Sequence, residues 1–301
     1  MIVLLGGGGY LGSILVEYFL NQGQQILNIS RSFQFSHLPA ETRIVSAVGD
    51  CQNYINQIKN GSILIYMAGS TNIEKAQSFP DVDLTSHLSE MKLFFEVVRQ
   101  NSVHFRKIIF FSSAGAVYGD SNSIRKDETS APCPKSIYGK RNLLLEDTFR
   151  FYAELLGFNY CVLRISNPYG PTQRYFRRKG LIQALLLSAK SGNNIILRGN
   201  GLQKRDYIED RDFCYSVFKV SQLTVQPPVI NICSAFSLSA LDVINILEQN
   251  GIHATYKISD LSPQYEVKDS LLSNKLLTNI LECNSIEFSS FANSLHRLCD
   301  M

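Results

Sequence analysis

Three glycines spaced Gly6-x-x-Gly9-x-x-Gly12 follow directly on the apolar run Ile2 to Leu5 and open onto a helical pattern from Leu11 to Asn21. A strand that empties through a glycine turn into a helix presents free backbone N–H groups and the positive end of a helix dipole at one point, which suits a diphosphate. Glycine serves the tight turn, the approach of backbone to the pyrophosphate and the packing of helix on sheet. Gly6, Gly9 and Gly12, with Tyr10 and Leu11 between them, are therefore the candidate dinucleotide-binding residues. At the end of the second apolar run, where a carboxylate would hold the ribose hydroxyls of NAD, the chain reads Asn28-Ile29-Ser30-Arg31-Ser32. A carboxylate there repels a 2′-phosphate, whereas Ser30 can hydrogen-bond one and Arg31 can neutralise it, which favours NADP over NAD. Asp50, in Gly49-Asp50-Cys51, is placed to touch the adenine. Ala68-Gly69-Ser70 supplies the small residues needed where a fourth strand passes under the cofactor.

These positions require an α/β scaffold. Short apolar runs at residues 2–5, 25–29, 44–48, 63–67 and 108–111 alternate with helical patterns, as in a parallel sheet with crossover helices. A helical segment from Tyr138 to Leu156 and a strand from Tyr160 to Ile165 complete the expected Rossmann-type, doubly wound sheet. Beyond Pro168 the pattern loosens into helices near 181–190, 238–249 and 288–298 and a strand at 195–198, read as a smaller C-terminal α/β substrate lobe. The expected division is a dinucleotide-binding domain over residues 1–167 and a substrate lobe over 168–301, with no linker between them.

Lysine and arginine number 29 against 26 acidic residues, an excess too small and dispersed to suggest nucleic-acid binding. One basic cluster, Arg174, Arg177, Arg178 and Lys179, reads either as a solvated loop or as a phosphate-facing one. The seven cysteines lack metal-ligand spacing and are expected to be reduced and mostly buried, with no metal. No signal sequence or membrane span is visible, so the expected location is cytoplasmic.

Two further stretches, Phe111-Ser112-Ser113-Ala114-Gly115-Ala116-Val117-Tyr118-Gly119 and Ser136-Ile137-Tyr138-Gly139-Lys140, are followed by Arg164-Ile165-Ser166-Asn167-Pro168-Tyr169-Gly170-Pro171 and Arg205-Asp206-Tyr207-Ile208. Together with the glycine motif, these resemble the extended short-chain dehydrogenase/reductases, specifically the NAD(P)-dependent nucleotide-sugar epimerase/dehydratase family, with its UDP-glucose 4-epimerase-like members. The resemblance covers residues 1–235. It implies that Tyr138 is the general acid/base, exchanging a proton with a sugar hydroxyl or ketone while nicotinamide exchanges hydride with the carbon. The family's serine or threonine aligns with Ala114, and Ser113, immediately before it, is the candidate in its place. Ser112 and Ser113 otherwise only satisfy backbone at a strand end. The resemblance also places Ser112 and Pro168 beside the cofactor and gives Asn167 and Arg205 to the substrate diphosphate. A second diphosphate arginine has no counterpart around Ser262 to Asp269.

One departure concerns the chemistry. A free phenol has a pKa of about 10 and needs a positive neighbour to act near neutrality. The family places a lysine four residues after the tyrosine; here that position is Asn142, which can hydrogen-bond a ribose but brings no charge. Lys140 lies on nearly the opposite side of the helix. Ala114-Gly115-Ala116 lacks the acid and base a 4,6-dehydratase needs. The readings that follow are an NADPH-dependent reductase of a nucleoside-diphosphate 4-keto sugar, an NAD-dependent nucleotide-sugar 4-epimerase, and an NADP-binding protein with impaired catalysis. The resemblance further implies a homodimer through the helices near Leu88 and Leu143, where Leu93, Phe94, Phe95, Leu144 and Leu145 serve either a core or a dimer seam.

Overall fold

Apolar runs buried on both faces build the centre of the molecule. In the computed structural model, which describes residues 1–33, 43–69, 73–175, 180–259, 261–281 and 288–299, the first strands are β1 (Ile2–Leu5), β2 (Ile26–Ser30), β3 (Arg43–Val45), β4 (Ser62–Tyr66), β5 (Phe105–Ser113) and β6 (Asn159–Ile165). The later ones are β7 (Asn167–Tyr169), β8 (Ile195–Arg198), β9 (Arg205–Glu209), β10 (Val229–Ile232), β11 (Ser237–Leu238) and β12 (Tyr256–Ser259). Every residue of β1 and β4 is buried, which is why these strands read as continuous apolar runs rather than alternating ones.

Seven strands form the central parallel sheet in the order β10-β6-β5-β4-β1-β2-β3. β1 pairs in parallel with β2 on one side and β4 on the other, in the register Leu5↔Ile29 and Leu5↔Tyr66. The direction of winding therefore reverses at β1, and the carboxyl ends of strands at such a switch point are where open α/β sheets bind ligands. The helices of the first half are α1 (Tyr10–Asn21), α2 (Ile73–Ser78), α3 (Pro80–Gln100), α4 (Ala114–Tyr118) and α5 (Ile137–Leu156). Phe94, Phe95, Phe105, Phe110 and Phe149 lie in one core with Tyr66 and Tyr152, each fully buried phenylalanine contributing about 1.5–3 kcal/mol. α5 starts at a Ser136 cap whose hydroxyl accepts from the Gly139 N–H and stops at Gly157 in the left-handed region.

The chain forms two units, and neither is a continuous block. One comprises residues 1–113, 136–164 and 217–230; the other comprises 114–135, 165–216 and 231–301. The expected break near residue 167 falls close to one of these crossings, but the other four depart from a division at 1–167 and 168–301. The return of residues 217–230 to the first unit has a physical reason in β10, a strand not expected from the sequence, which comes back late in the chain to pair at the edge beside β6. In the first unit, the buried Lys107 ammonium donates to the carbonyls of Val220, Ser221 and Leu223 at 2.9, 3.4 and 2.5 Å. These close the end of α7 (Asp210–Gln222), which follows α6 (Leu181–Ser191) in the chain.

In the second unit, β9 pairs in parallel with β7 and antiparallel with β11, and β8 pairs with β12. Tyr169, Tyr207, Leu185, Val243 and Leu295 share its core with α8 (Ala240–Gln249) and the final helix Phe291–Cys299.

α3 begins eight residues before the expected start, because Pro80 sits in its first turn and Asp81 and Asp83 complement the helix dipole there. Of the residues expected to serve a core or a seam, Phe94, Phe95 and Leu145 are core, while Leu93 and Leu144 are 47% and 41% exposed. Cys51, Cys161, Cys214 and Cys233 are buried free thiols, and Cys133 is exposed. No helix among the described residues is long and apolar enough to cross a membrane. The side chains of the Arg174 to Lys179 cluster, and Ser70, lie outside the described residues.

Candidate active site

The glycine turn is held from below by the sheet. Gly6, at φ +86°, donates its N–H to Ile29 O at 2.8 Å, and a Cβ there would sit 2.6 Å from the Ala68 Cα. A Cβ on Gly12 would overlap the Gly7 backbone. Gly9 differs, because a Cβ there would meet nothing within 4 Å. Protein packing thus explains Gly6 and Gly12 but not Gly9, as expected where the constraint is a bound group approaching the backbone. Gly9 caps α1 without a side-chain cap, and the first turn of α1 carries no acidic residue, leaving N–H groups and positive dipole for a phosphate. The donor set fits a dinucleotide pyrophosphate. Tyr10 is buried and Leu11 half-buried beside it.

A Cβ on Gly8 would lie 2.5 Å from Ser30 Oγ. The end of β2 is therefore pressed onto the glycine turn, with the Ser30 hydroxyl against it and Arg31 exposed beyond. Asp50 is exposed and caps a short helical turn at Cys51–Asn53. Ala68 and Gly69 follow β4, and a Cβ on Gly69 would sit 2.5 Å from the His87 ring.

Ser112 and Ser113 end β5, but their settings differ. Ser112 is buried and donates to Glu146 Oε1 at 2.5 Å. The same Glu146 carboxylate accepts from Arg164 Nη2 at 2.7 Å and from its Nε at 3.1 and 3.2 Å. The hydroxyl of Ser112, expected beside the cofactor, is thus engaged in a buried network that ties β5 and β6 to α5. Ser113, the next residue, is half-buried at the strand end. Tyr138 is half-buried in the first turn of α5, and Lys140 is exposed. Asn142 is buried, and its Nδ2 has no hydrogen-bond partner among the described residues. A buried amide donor without an acceptor is costly in the protein alone, and a ribose hydroxyl is an acceptor of the right chemistry.

A cation that no motif in the sequence marks lies over the Tyr138 ring. The Arg141 guanidinium carbon lies 4.7 Å from the Tyr138 ring centroid. Arg141 contacts Asp83 Oδ2 at 3.2 Å and His87 Nε2 at 3.2 Å, both on α3. Burial lowers the pKa of its guanidinium, with Tyr138 and Asp83 opposing that shift, and an arginine keeps its proton under such opposition. The signal in the sequence was slight: a cation three residues after a tyrosine, and an Asp/His pair one helical turn apart.

In the second unit, Asn167 Nδ2 donates to Asp206 O at 2.8 Å and the half-buried Pro168 follows it on β7. Arg205 Nη1 donates to Lys204 O and Lys268 O at 2.9 and 3.0 Å, and Nη2 to Val267 O at 2.5 Å. The segment around Ser262 to Asp269, which carries no second arginine, thus supplies carbonyls that orient Arg205. Burial pushes the neighbouring Asp206 carboxyl up to about 7.

The model of the NAD dependent epimerase/dehydratase family matches residues 2–233. The chain belongs to that family. Members of this epimerase/dehydratase family are NAD(P)-dependent nucleotide-sugar epimerases, dehydratases and reductases. The chain is 26% identical over 262 residues to a dTDP-4-dehydro-6-deoxyglucose reductase of Escherichia coli, covering 82% of this chain and 80% of that protein. It is 23% identical over 266 residues to a UDP-glucose 4-epimerase of Lacticaseibacillus casei, covering 81% and 79%. The crystal structure of a Thermus thermophilus UDP-glucose 4-epimerase in complex with NAD superposes with a TM-score of 0.83 at 20% identity, covering 99% of this chain and 97% of that one. That likeness establishes the epimerase/dehydratase fold.

Proposed function

We propose that the protein reduces the 4-keto group of a nucleoside-diphosphate sugar with NADPH. The observation that carries this reading is the end of β2, where Ser30 and Arg31 stand in place of a carboxylate and Ser30 is pressed against the glycine turn. A carboxylate would repel the 2′-phosphate; a hydroxyl and an exposed guanidinium attract it. The reductase relative supports the reading.

In this scheme NADPH supplies the hydride. The N-terminus of α1 and Gly9 would hold its pyrophosphate, Asp50 would meet the adenine, and the Asn142 Nδ2–H would donate a hydrogen bond to a nicotinamide ribose hydroxyl. Tyr138 gives the proton that turns the ketone oxygen into a hydroxyl, and Ser113 hydrogen-bonds that oxygen. Asn167 and Arg205 are assigned to the substrate diphosphate. The test is steady-state turnover with a nucleoside-diphosphate 4-keto sugar, followed by loss of NADPH absorbance. Turnover abolished in Tyr138→Phe supports the reading, and no turnover with any such sugar overturns it.

A second reading, 4-epimerisation with a retained NAD, is favoured by the epimerase relative. It requires NAD to be released when the purified protein is denatured. A third, impaired catalysis, draws on Asn142 and predicts that Asn142→Lys raises turnover. The apolar residues Leu93, Leu144, Phe151 and Leu155, all exposed on α3 and α5, suit the seam of a homodimer. Phe151→Lys would then halve the mass measured by light scattering.

A further inference from the structure

Asn142 brings no charge to Tyr138, and a phenol without a positive neighbour ionises at about 10. Lys140 is exposed. Arg141, one turn along α5 from Tyr138 and on the same side of the helix, is 2% exposed with its guanidinium over the Tyr138 ring at 4.7 Å. We propose that Arg141 supplies the positive charge that promotes ionisation of Tyr138, so that Arg141 and Asn142 divide between them the work of one lysine: charge from the first, a ribose hydrogen bond from the second. The inference rests on the reading of Tyr138 as the acid/base.

A cation over a ring face is attracted by the ring's electron density, and the attraction grows when the ring carries a phenolate's charge. Burial keeps water from screening it. Arg141 acts through Tyr138 and is a positioning residue. Among the described residues, the groups that face it include Asp83 and His87 of α3, at 3.2 Å each, and Tyr138 of its own helix. Glu74 and Lys75 of α2, which also packs on α5, are exposed. Asp83 fixes the guanidinium and offsets part of its field, and His87 adds charge only when protonated. This sets opposite expectations for removing the counter-charge and removing the cation, which a purely structural role does not.

The test is a titration of the full-length protein carrying tyrosine labelled with carbon-13 at Cζ, with the Tyr138 signal assigned by its loss in Tyr138→Phe. Arg141→Met alone leaves Asp83 buried without its counter-ion and endangers folding, so the cation is removed in the double variant Asp83→Asn/Arg141→Met. Its Tyr138 signal is expected to titrate about one unit or more higher than in the unaltered protein. In Asp83→Asn, with the cation retained and its counter-charge gone, it titrates lower. Arg141→Lys falls between the double variant and the unaltered protein. Coincident titrations in all of them, or the reverse order, overturn the proposal. The readout needs neither substrate nor cofactor, so it stands apart from the reductase reading, which fails separately if Tyr138→Phe keeps its turnover.

Discussion

Replacing Arg164 with methionine is expected to cost about 3–5 kcal/mol of stability, because it leaves the buried Glu146 carboxyl without its counter-ion. The magnitude follows from the geometry. Glu146 is buried between α5 and the sheet, takes three contacts from one guanidinium at 2.7–3.2 Å and a fourth from Ser112 at 2.5 Å. Removing both charges together with the hydroxyl that depends on them, as Ser112→Ala/Arg164→Met/Glu146→Leu, should return the protein to within about 1 kcal/mol of its starting stability, since a buried ion pair gains little net energy over an apolar pair of similar volume and no buried donor is then left without an acceptor. Ser112→Ala removes one hydrogen bond to a charged group, worth about 1.5–3 kcal/mol. Urea unfolding followed by far-ultraviolet circular dichroism gives the stabilities, and the double-mutant cycle gives the coupling. The network fixes the end of β5 against α5, the elements that carry Ser113 and Tyr138, so Ser112→Ala should also lower kcat while leaving nucleotide affinity unchanged. An Arg164→Met variant within about 1 kcal/mol of the unaltered protein would refute this account of the buried network.

Three other outcomes are expected. Arg31→Ala should weaken NADPH binding by about tenfold, equivalent to about 1.4 kcal/mol, and leave NADH unchanged, measured by calorimetry; an equal effect on both contradicts a 2′-phosphate contact. Asp206, 0% exposed, holds a proton up to about 7 that the unfolded chain releases near 3.8. Stability should therefore fall as pH rises between those values, by at most about 4 kcal/mol, and Asp206→Asn should flatten the slope in thermal unfolding. Lys107→Met strips the carbonyls at the end of α7 of their donor and should cost about 1–3 kcal/mol in urea unfolding.

Features written in a few consecutive residues were legible in the sequence. The glycine turn, the fully apolar strands and the first turn of α5 each follow from local pattern, and they locate the cofactor loop and Tyr138. What escaped depends on packing between distant segments. The Arg141 cluster joins α5 to Asp83 and His87 in the part of α3 whose polar residues hid its helical start. Ser112 looked like a cofactor contact because its partner Glu146, and the Arg164 that shares that carboxylate, lie 34 and 52 positions further along the chain. β10 was missed because four residues, Val229–Ile232, fall in a stretch otherwise assigned to a separate lobe. Arg205 was recognisable by its motif, but not the carbonyls that orient it.

Ser30 and Arg31 are proposed to select NADP for a reductase. Calorimetric titration of the purified protein with NADPH and with NADH, after checking for nucleotide released on denaturation, tests it most directly. The account predicts NADPH binding at least about tenfold tighter and no carried-over nucleotide. Retained NAD, or equal or tighter NADH binding, contradicts it and turns the search to nucleotide-sugar epimerisation.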